Sequence, residues 1–248
     1  MTTASRIEWT EQTWNPIVGC TKISAGCKHC YAEVMARRLQ AMGTPGYENG
    51  FALRLIPERL SDPIKRKKPT IYFVNSMSDL FHEKVPSDYI GRVMETIAAT
   101  PQHSYQILTK RAARMARYFT SREVPENVWL GVSVENRKHG VPRIDHLRGV
   151  KAKIRFLSVE PLLEVLGDLD LHGIHWVIVG GESGPKARPL KPEWADSVRV
   201  QCESQNVAFF FKQWGGWGAD GKRRAKAKNG RLLNGRTWDE MPTLASII

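Results

Sequence analysis

The sequence predicts an α/β fold, a single TIM-like barrel domain, complete or incomplete, of six or seven βα units. Seven short runs rich in β-branched and aromatic residues recur along the chain, helical stretches lie between several of them, and the runs are apolar nearly throughout. Alternating strands and helices imply parallel strands joined by right-handed crossovers. Strands that are apolar on both faces are typical of a parallel sheet covered by helices on one side and a packed interior on the other.

Each element has its own signal in the sequence. The candidate strands occupy residues 13–19, 70–75, 104–109, 127–134, 153–159, 174–180 and 207–214. Helical patterns occupy 31–42, 87–100, 111–120 and 191–205. Ser87 is predicted to be the N-cap of the second helix, and Pro192 lies in the first turn of the fourth, where proline is well tolerated.

The domain organisation is predicted from composition. Residues 1–214 are expected to form the barrel domain, with a long insertion at about 43–68 that is rich in glycine, proline and charge. Residues 215–248 are expected to form a basic C-terminal hairpin extension packed on the barrel. Asn-Gly pairs at 229–230 and 234–235 indicate short hairpin turns in this extension.

Composition also limits the function classes. The chain has 248 residues, 42% of them hydrophobic, and a formal net charge of +12. It is long enough to bury a full core, and its positive field would attract phosphate-bearing partners such as nucleic acid or a nucleotide. The start lacks the pattern of a signal peptide, and the longest apolar run, 176–179, is far too short to cross a bilayer. We therefore expect a cytoplasmic protein with no membrane partner.

Three of the four cysteines, Cys20, Cys27 and Cys30, lie within eleven positions in a C-x6-C-x2-C pattern directly before the first helix. Disulfide frameworks belong to small secreted domains, so this crowding favours metal ligation in a reducing compartment. Structural zinc needs a fourth ligand, for which His29 and Cys202 are the candidates. A four-iron cluster on three thiolates leaves one iron open. The iron–sulfur interpretation is favoured, while zinc and metal-free thiols stay open.

Polar residues follow nearly every predicted strand. They are Asn75, Ser76, Ser78, Asp79, Thr109, Lys110, Arg111, Ser133, Glu135, Ser158, Glu160, Glu182, Ser183, Lys212 and Gln213. Because barrel active sites are built at the carboxyl ends of the strands, we interpret this series as the lining of a site. For any single residue, the general polarity of loops is an equal explanation.

Seven segments spread over nearly the whole chain resemble the three-cysteine-motif phage-protein family, whose biochemical function is unsettled. They are IEWTEQTWNPIVGCTKISAGCKHCYAE, NSMSDLFH, ILTKR, VWLGVSVEN, RFLSVEPLL, WVIVGGESGPKARP and FFFKQWGG. That family in turn resembles the radical S-adenosylmethionine (SAM) superfamily. The resemblance implies a partial TIM-type barrel in which Cys20, Cys27 and Cys30 hold a 4Fe-4S cluster. The open iron would take SAM, and reductive cleavage would yield a 5′-deoxyadenosyl radical that abstracts hydrogen from a substrate.

The sequence departs from the commonest radical SAM pattern in three places, one of which is that His29, followed by Cys30 and Tyr31, stands where an aromatic residue usually precedes the last cysteine. Its first cysteine gap has six residues instead of three, and the GGE motif usual after the second strand is replaced by NSMSD, with GGES after the sixth. From strand order, we expect Ser76, Ser78 or Asp79 to contact the amino group of SAM. Ser133 and Glu135 are expected to face its ribose.

Charged residues of mixed sign would surround the mouth of the barrel and orient a polar group of the substrate. Lys110, Glu160, Glu182 and Lys212 are the candidate catalytic residues, with Arg111 beside them. Internal ion pairs that hold the rim together are an equally good explanation of these charges.

Two further basic patterns bear on a nucleic-acid partner. Arg111, Arg114 and Arg117 recur at helical spacing and are candidates for phosphate contacts, whereas the run at 65–68 is interpreted as a solvated face. Trp214, Trp217 and Trp238 are expected to pack against the barrel more than to stack on bases.

Three functions from different classes follow. The first is an iron–sulfur enzyme that uses SAM for radical chemistry on a nucleic acid, a nucleotide or a protein. The second is a zinc-stabilised nucleic-acid-binding protein without radical chemistry. The third is a non-catalytic partner subunit whose metal site is structural. Metal content separates the first from the second, and SAM cleavage separates the first from the third.

Overall fold

The computed structural model describes residues 7–242 and, from the residues before them, the backbone of β1. The strands are β1 (Thr3–Ala4), β2 (Gln12–Trp14), β3 (Ile17–Val18), β4 (Arg54–Leu55), β5 (Ile71–Val74), β6 (Ser104–Thr109), β7 (Val128–Ser133), β8 (Ile154–Val159), β9 (Trp176–Gly180) and β10 (Ala208–Gln213). The α-helices are α1 (Tyr31–Ala41), α2 (Ser87–Ala98), α3 (Ala112–Phe119), α4 (Pro142–Arg148), α5 (Pro192–Ser204) and α6 (Lys226–Asn229). Short 3-10 helices occupy Ala25–Cys27, Pro57–Arg59 and Pro63–Lys65.

Eight strands form one sheet in the order β1-β2-β5-β6-β7-β8-β9-β10, and β3 pairs with β4. Seven strands of the large sheet are parallel, while β1 runs antiparallel to β2 at the edge. The parallel register places Thr13 opposite Phe73 and Leu157 opposite Val177. The predicted α/β fold of the incomplete TIM-like type is therefore confirmed, and each of the seven predicted strands is present.

The chain separates into two compact units. Unit 1 comprises Met1–Ile23, Cys30–Gly131 and Gly149–Lys153. Unit 2 comprises Ser24–His29, Val132–Arg148 and Ile154–Ile248. The predicted boundary at residue 214 does not coincide with a boundary between these units and stays a prediction.

In unit 1, the predicted insertion packs against the helix that follows the cysteines. Ala32 and Ala36 of α1 are buried in one cluster with Tyr47 and Ile56, which both come from the insertion. Small residues on the buried face of α1 let the insertion approach the helix closely. The insertion, which also contains β4 and two 3-10 helices, thereby fixes the orientation of α1.

In unit 2, the core is built on strands that are buried along their whole length. All five residues of β9 are buried, as expected for a strand covered on both faces. Trp176 packs edge-on against Phe210 with ring centroids 6.0 Å apart, and its indole N–H donates to the carbonyl of Glu240 at 2.8 Å. Trp238 packs edge-on against Phe209 at 5.8 Å, so the C-terminal segment is tied to this core.

Three local predictions differ from the structure. Helix α4 was not predicted, because its seven residues are too few to show a clear helical period. Pro86 is the N-cap of α2, and Ser87 is the first helical residue, since proline already supplies the extended backbone that precedes a helix. A hairpin turn is present at Asn234 and Gly235, where both φ angles are positive, whereas Asn229 ends α6 instead of opening a turn.

Within the described residues, no helix combines the length and the apolar character that a bilayer crossing would need.

Candidate active site

In unit 1, Cys20 lies at the carboxyl ends of the first two parallel strands. Its neighbour Gly19 forms a parallel bridge with Ser78, just beyond β5, and donates its amide to the carbonyl of Met77 at 3.1 Å. Gly19 has φ of +78°, and a Cβ there would lie 2.1 Å from the carbonyl oxygen of Ala52. Glycine is therefore required directly before the first cysteine, since any side chain would displace the loop.

Arg111, directly before α3, is buried beside Cys20 in unit 1. Its Nη1 donates to the Cys20 sulfur at 3.5 Å and to Asp79 at 3.1 Å. Its Nε donates to both carboxylate oxygens of Glu83 at 2.9 and 2.8 Å, and Nη2 donates to Thr21. The guanidinium of Arg111 thus donates to the Cys20 thiol, to two carboxylates and to the backbone next to Cys20.

Asp79 accepts hydrogen bonds at both carboxylate oxygens. Oδ1 accepts from the amide of Phe81 at 3.0 Å and the hydroxyl of Thr109 at 2.7 Å. Oδ2 accepts from the amide of Lys110 at 3.1 Å and from Arg111. Four donors fill the directions in which a carboxylate accepts well. These bonds favour a positioning role for Asp79, which the sequence placed among the SAM contacts.

The two predicted serines of unit 1 are half-buried, and both hydroxyls donate to oxygens nearby. Ser76 Oγ donates to Asn15 Oδ1 at 3.2 Å, and Ser78 Oγ donates to the carbonyl of Ile17 at 2.8 Å. The carbonyl of Ser76 accepts from the hydroxyl of Tyr31, the first residue of α1. Cys30 is the N-cap of α1, so the third cysteine and Ser76 are linked through adjacent residues.

Lys110 of unit 1 is half-buried, and its ammonium has no hydrogen-bond or ion-pair partner among the residues that the structure describes. Its backbone amide donates to Asp79, which fixes the position of the residue at the end of β6. A half-buried cation without a partner is costly unless it contacts water or a bound anion. Of the two predicted catalytic lysines, Lys212 is paired with Glu160, whereas the Lys110 ammonium is not paired with a described residue.

In unit 2, Cys27 ends the 3-10 helix Ala25–Cys27. Its sulfur lies 3.8 Å from the hydroxyl of Ser24, and its amide donates to the Ser24 carbonyl at 3.0 Å. Arg188 Nη2 donates to the carbonyl of Ala25 at 3.0 Å and to Glu182 at 2.6 Å. The predicted residue Glu182 therefore orients the arginine that holds the cysteine turn.

The Glu135 side chain lies against Gly26, in the same turn that carries Cys27. It is fully buried, and Arg143 Nη1 donates to Glu135 Oε2 at 2.6 Å and to the carbonyl of Ser133 at 2.7 Å. A Cβ at Gly26 would lie 3.1 Å from the Glu135 side chain. The structure thus brings Glu135, which was predicted to face a ribose, against the turn that carries Cys27.

Glu160 and Lys212, two predicted catalytic residues of unit 2, form an ion pair. Lys212 Nζ donates to Glu160 Oε2 at 2.7 Å, and Ser158 donates to Oε1 at 3.4 Å. Both side chains are mostly buried. Together with the pairs at Glu135 and Glu182, this matches the internal ion pairs that the sequence allowed as the alternative to substrate contact.

Burial raises the pKa of two thiols, those of Cys20 and Cys202, and lowers the pKa of His82. Burial and then the Asp79 carboxylate raise the pKa of Cys20 to about 11, although Arg111 acts in the opposite direction. Burial raises the pKa of Cys202 to about 12. Burial and Arg111 lower the pKa of His82, whose Nδ1 accepts from the amide of Lys84 at 3.1 Å.

The donor set fits a group that binds three thiolates. All four cysteines are free thiols, and Cys20, Cys27 and Cys30 are half-buried, whereas Cys202 is buried in α5. Among the described residues, no three His, Cys, Asp or Glu side chains are grouped as ligands of one ion. That finding does not bear on a four-iron cluster, in which each thiolate binds a different iron.

Several site residues were missed or misjudged from the sequence. Arg188 and Arg143 were not singled out, although each follows its glutamate closely, by six and eight residues. Arg111 was offered as a phosphate contact and is instead buried. Arg114 donates to the backbone carbonyls of the segment 81–85, which leaves Arg117 as the exposed member of that series.

Solved structures with a similar fold include spore photoproduct lyase. A cysteine-to-serine mutant of that enzyme has a TM-score of 0.50 at 15% identity, over 73% of this chain and 58% of the lyase. A double mutant with bound AdoMet and dinucleoside spore photoproduct has a TM-score of 0.50 at 14% identity, over 82% of this chain and 63% of the lyase. The chain thus spans less than two thirds of the lyase, and at this identity the likeness is one of fold.

No curated protein matches the chain. A model for a family described as "Protein of unknown function (DUF5131)" matches residues 4–242. The chain belongs to this DUF5131 family.

Proposed function

We propose that the protein is an iron–sulfur enzyme that reductively cleaves S-adenosylmethionine to modify a nucleic acid, a nucleotide or a protein. The observation that carries the proposal is the position of the three-thiol loop. It follows β2, the first parallel strand, and Gly19 joins it to the carboxyl end of β5. Barrel enzymes of this type build their sites at these strand ends.

In this proposal, Cys20, Cys27 and Cys30 hold a 4Fe-4S cluster. When bound, the cluster supplies the electron that splits SAM into methionine and a 5′-deoxyadenosyl radical. The chain's own residues hold the ligands in place: Arg111 contacts Cys20 in unit 1, and Arg188 holds the turn of Cys27 in unit 2.

Ser76 and Ser78 are proposed to bind the amino group of SAM. Each hydroxyl already donates its hydrogen within unit 1, so its remaining capacity is that of an acceptor. An acceptor oxygen is what a protonated amine requires. Asp79 would orient Lys110 and Arg111 through its four hydrogen bonds, and Lys110 would contact an anionic group such as the SAM carboxylate.

Ser133 and Glu135 remain the proposed ribose contacts, and Glu160, Glu182 and Lys212 remain proposed catalytic residues. The ion pairs with Arg143, Arg188 and between Glu160 and Lys212 would hold these side chains in one conformation before substrate binds. Preorganised charge of this kind is effective because it needs little rearrangement during the reaction.

Of the proposed substrates, a nucleic acid or a nucleotide is favoured over a protein. The net charge of +12 favours a phosphate-bearing partner. The spore photoproduct lyase complex, whose ligands are AdoMet and a dinucleoside, gives a precedent for this combination on a similar fold. The resemblance to a phage-protein family and a cytoplasmic location belong to the same proposal.

The test is anaerobic incubation of cluster-loaded protein with SAM and dithionite. We expect 5′-deoxyadenosine and methionine in equal amounts, and we expect Cys30→Ala to abolish both. Cys202→Ala is the matched control, because it removes the one cysteine outside the loop. Loaded protein that forms neither product would refute radical chemistry, and zinc-loaded protein would support the nucleic-acid-binding alternative.

A further inference from the structure

Arg111 directs its five N–H donors at several different groups of unit 1. Two carboxylates, Asp79 and Glu83, already face its charge in unit 1. Yet Nη1 also donates to the Cys20 sulfur, and Nη2 donates to the carbonyl and the hydroxyl of Thr21 at 3.2 and 3.0 Å. Glu83 contacts only Nε, and the two Nη groups are directed at Cys20 and Thr21 as well as at Asp79.

The hydroxyl of Thr21 extends this contact to a second buried side chain. His82 Nε2 lies 2.9 Å from Thr21 Oγ1. Because His82 Nδ1 accepts from the Lys84 amide, Nε2 carries the hydrogen and donates to Thr21. Two donors, from Arg111 and His82, therefore converge on Thr21 and restrict the segment that carries Cys20.

Cys27 has a different environment in unit 2. Its sulfur has a neutral partner, the hydroxyl of Ser24 at 3.8 Å, and the arginine of that turn donates to a backbone carbonyl. A hydroxyl contact of that length withdraws little electron density from a sulfur. A guanidinium N–H directed at sulfur is a stronger, charge-assisted donor. Of these two thiols, Cys20 is therefore the one that accepts a hydrogen bond from a cationic side chain.

We propose that Arg111 is a positioning residue that holds the Cys20 sulfur by an N–H···S hydrogen bond and makes the group bound there easier to reduce. This inference rests on the proposed function. A donor to a ligand sulfur stabilises the reduced, more negative state, and so raises the reduction potential. The carboxylates of Asp79 and Glu83 outnumber the guanidinium charge, so the directed hydrogen bond, not net charge, produces the effect.

Arg111→Lys is the informative variant. It keeps a positive charge between Asp79 and Glu83, so the fold is retained, but an ammonium cannot span the positions of Glu83, Cys20 and Thr21 at once. We expect at least a tenfold fall in the equilibrium constant for one-electron reduction, a shift of about 59 mV to more negative potential. Potentiometric titration followed by electron paramagnetic resonance measures it.

Arg114→Lys is the matched control. Arg114 lies in the first turn of α3, three residues after Arg111, and donates to carbonyls of the neighbouring segment 81–85 and to no described cysteine. We expect this variant to keep the wild-type potential. An unchanged or more positive potential in Arg111→Lys, with the cluster loaded, would overturn the inference.

A second measurement uses metal-free protein, so that it does not depend on the cluster. Amide hydrogen exchange of the peptide that covers Cys20 and Thr21 should be at least tenfold faster in Arg111→Lys than in wild type or Arg114→Lys. Unchanged exchange would overturn the positioning role. If wild-type protein takes up no cluster, the proposed function fails, and the exchange result alone decides whether Arg111 positions Cys20.

Discussion

Unit 1 and unit 2 handle the charges at their strand ends differently. In unit 2, each of the three glutamates that follow strands has its own cationic partner: Arg143 pairs with Glu135 at 2.6 Å, Lys212 with Glu160 at 2.7 Å and Arg188 with Glu182 at 2.6 Å. In unit 1, a single guanidinium, that of Arg111, serves Asp79, Glu83 and Cys20 together.

The difference shows what each arrangement can do. Separate pairs are close to neutral, and losing one leaves the others intact. The network of Arg111 with Asp79 and Glu83 has two negative charges and one positive charge beside the Cys20 thiol. A change in any of these groups alters the hydrogen bonding and the charge around Cys20. Unit 1 also holds Lys110, whose ammonium is not paired with a described residue. The charges of unit 1 are therefore coupled through one arginine, whereas those of unit 2 are held in separate pairs.

The largest expected difference between the units comes from removing one buried acid from each. Asp79→Ala leaves Arg111 and three further donors without their acceptor, and should cost about 3–5 kcal/mol of unfolding free energy. Glu182→Ala should cost less, about 1–3 kcal/mol, because Arg188 is partly exposed and can be hydrated. Urea unfolding at pH 7 measures both, and equal losses would contradict the comparison.

The next effect concerns the glycines that precede two cysteines. Gly19→Ala in unit 1 combines a positive φ with a clash against the Ala52 carbonyl, and should cost about 2–4 kcal/mol. Gly26→Ala in unit 2 has no such φ and needs Glu135 to move only slightly, so about 1 kcal/mol is expected. Chemical denaturation of the two variants tests the order, and a larger loss at Gly26 would reverse it.

A smaller effect is a pH dependence of stability that arises in both units. The pKa of His82 is lowered by burial and by Arg111, although Glu83 and Asp79 oppose this and Arg114 adds to it. The unfolded chain therefore binds more protons, so stability is fully present above about pH 6.5 and falls as pH drops below it. In unit 2, burial and Arg155 likewise lower the pKa of His175.

Thermal unfolding from pH 8 to pH 5 measures this dependence. His82→Gln and His175→Gln should each flatten the acid side of the profile, and the double variant should flatten it further. If the double variant loses thermal stability with falling pH as steeply as wild type does, groups other than these two histidines control the acid sensitivity.

The smallest expected effect on stability is that of Lys110→Met, within about 0.5 kcal/mol, because no ion pair is lost. Lys212→Met is the matched variant in unit 2 and should destabilise by about 1–3 kcal/mol, since it leaves Glu160 without its ammonium. SAM binding to loaded protein, measured by calorimetry, should weaken about tenfold or more in Lys110→Met. Unchanged SAM affinity would remove Lys110 from the site.

The fold was predictable because strand signals are local. Apolar runs such as 104–109 and 176–179 fall within the strands β6 and β9. The polar residues after these runs could also be read from the sequence, because the carboxyl ends of parallel strands lie at one edge. Helix α4 could not be predicted, because seven residues show too little of the helical period.

The partners within the site were harder to predict, because they depend on tertiary distances. Arg111 and Cys20 are 91 residues apart in sequence, and nothing in either segment indicates their contact. Spacing alone made Arg111, Arg114 and Arg117 look like one phosphate-binding face. The structure divides them, because the loop at 79–85 folds over the start of α3 and takes the first two as hydrogen-bond donors.

The central claim is that the three-cysteine loop binds a cluster with one open iron, and metal analysis of anaerobically purified protein tests it most directly. We predict a brown protein with roughly four iron and four acid-labile sulfide per chain, lost in Cys20→Ala, Cys27→Ala and Cys30→Ala but kept in Cys202→Ala. Colourless wild-type protein that carries one zinc ion per chain and takes up no iron on reconstitution would contradict the claim.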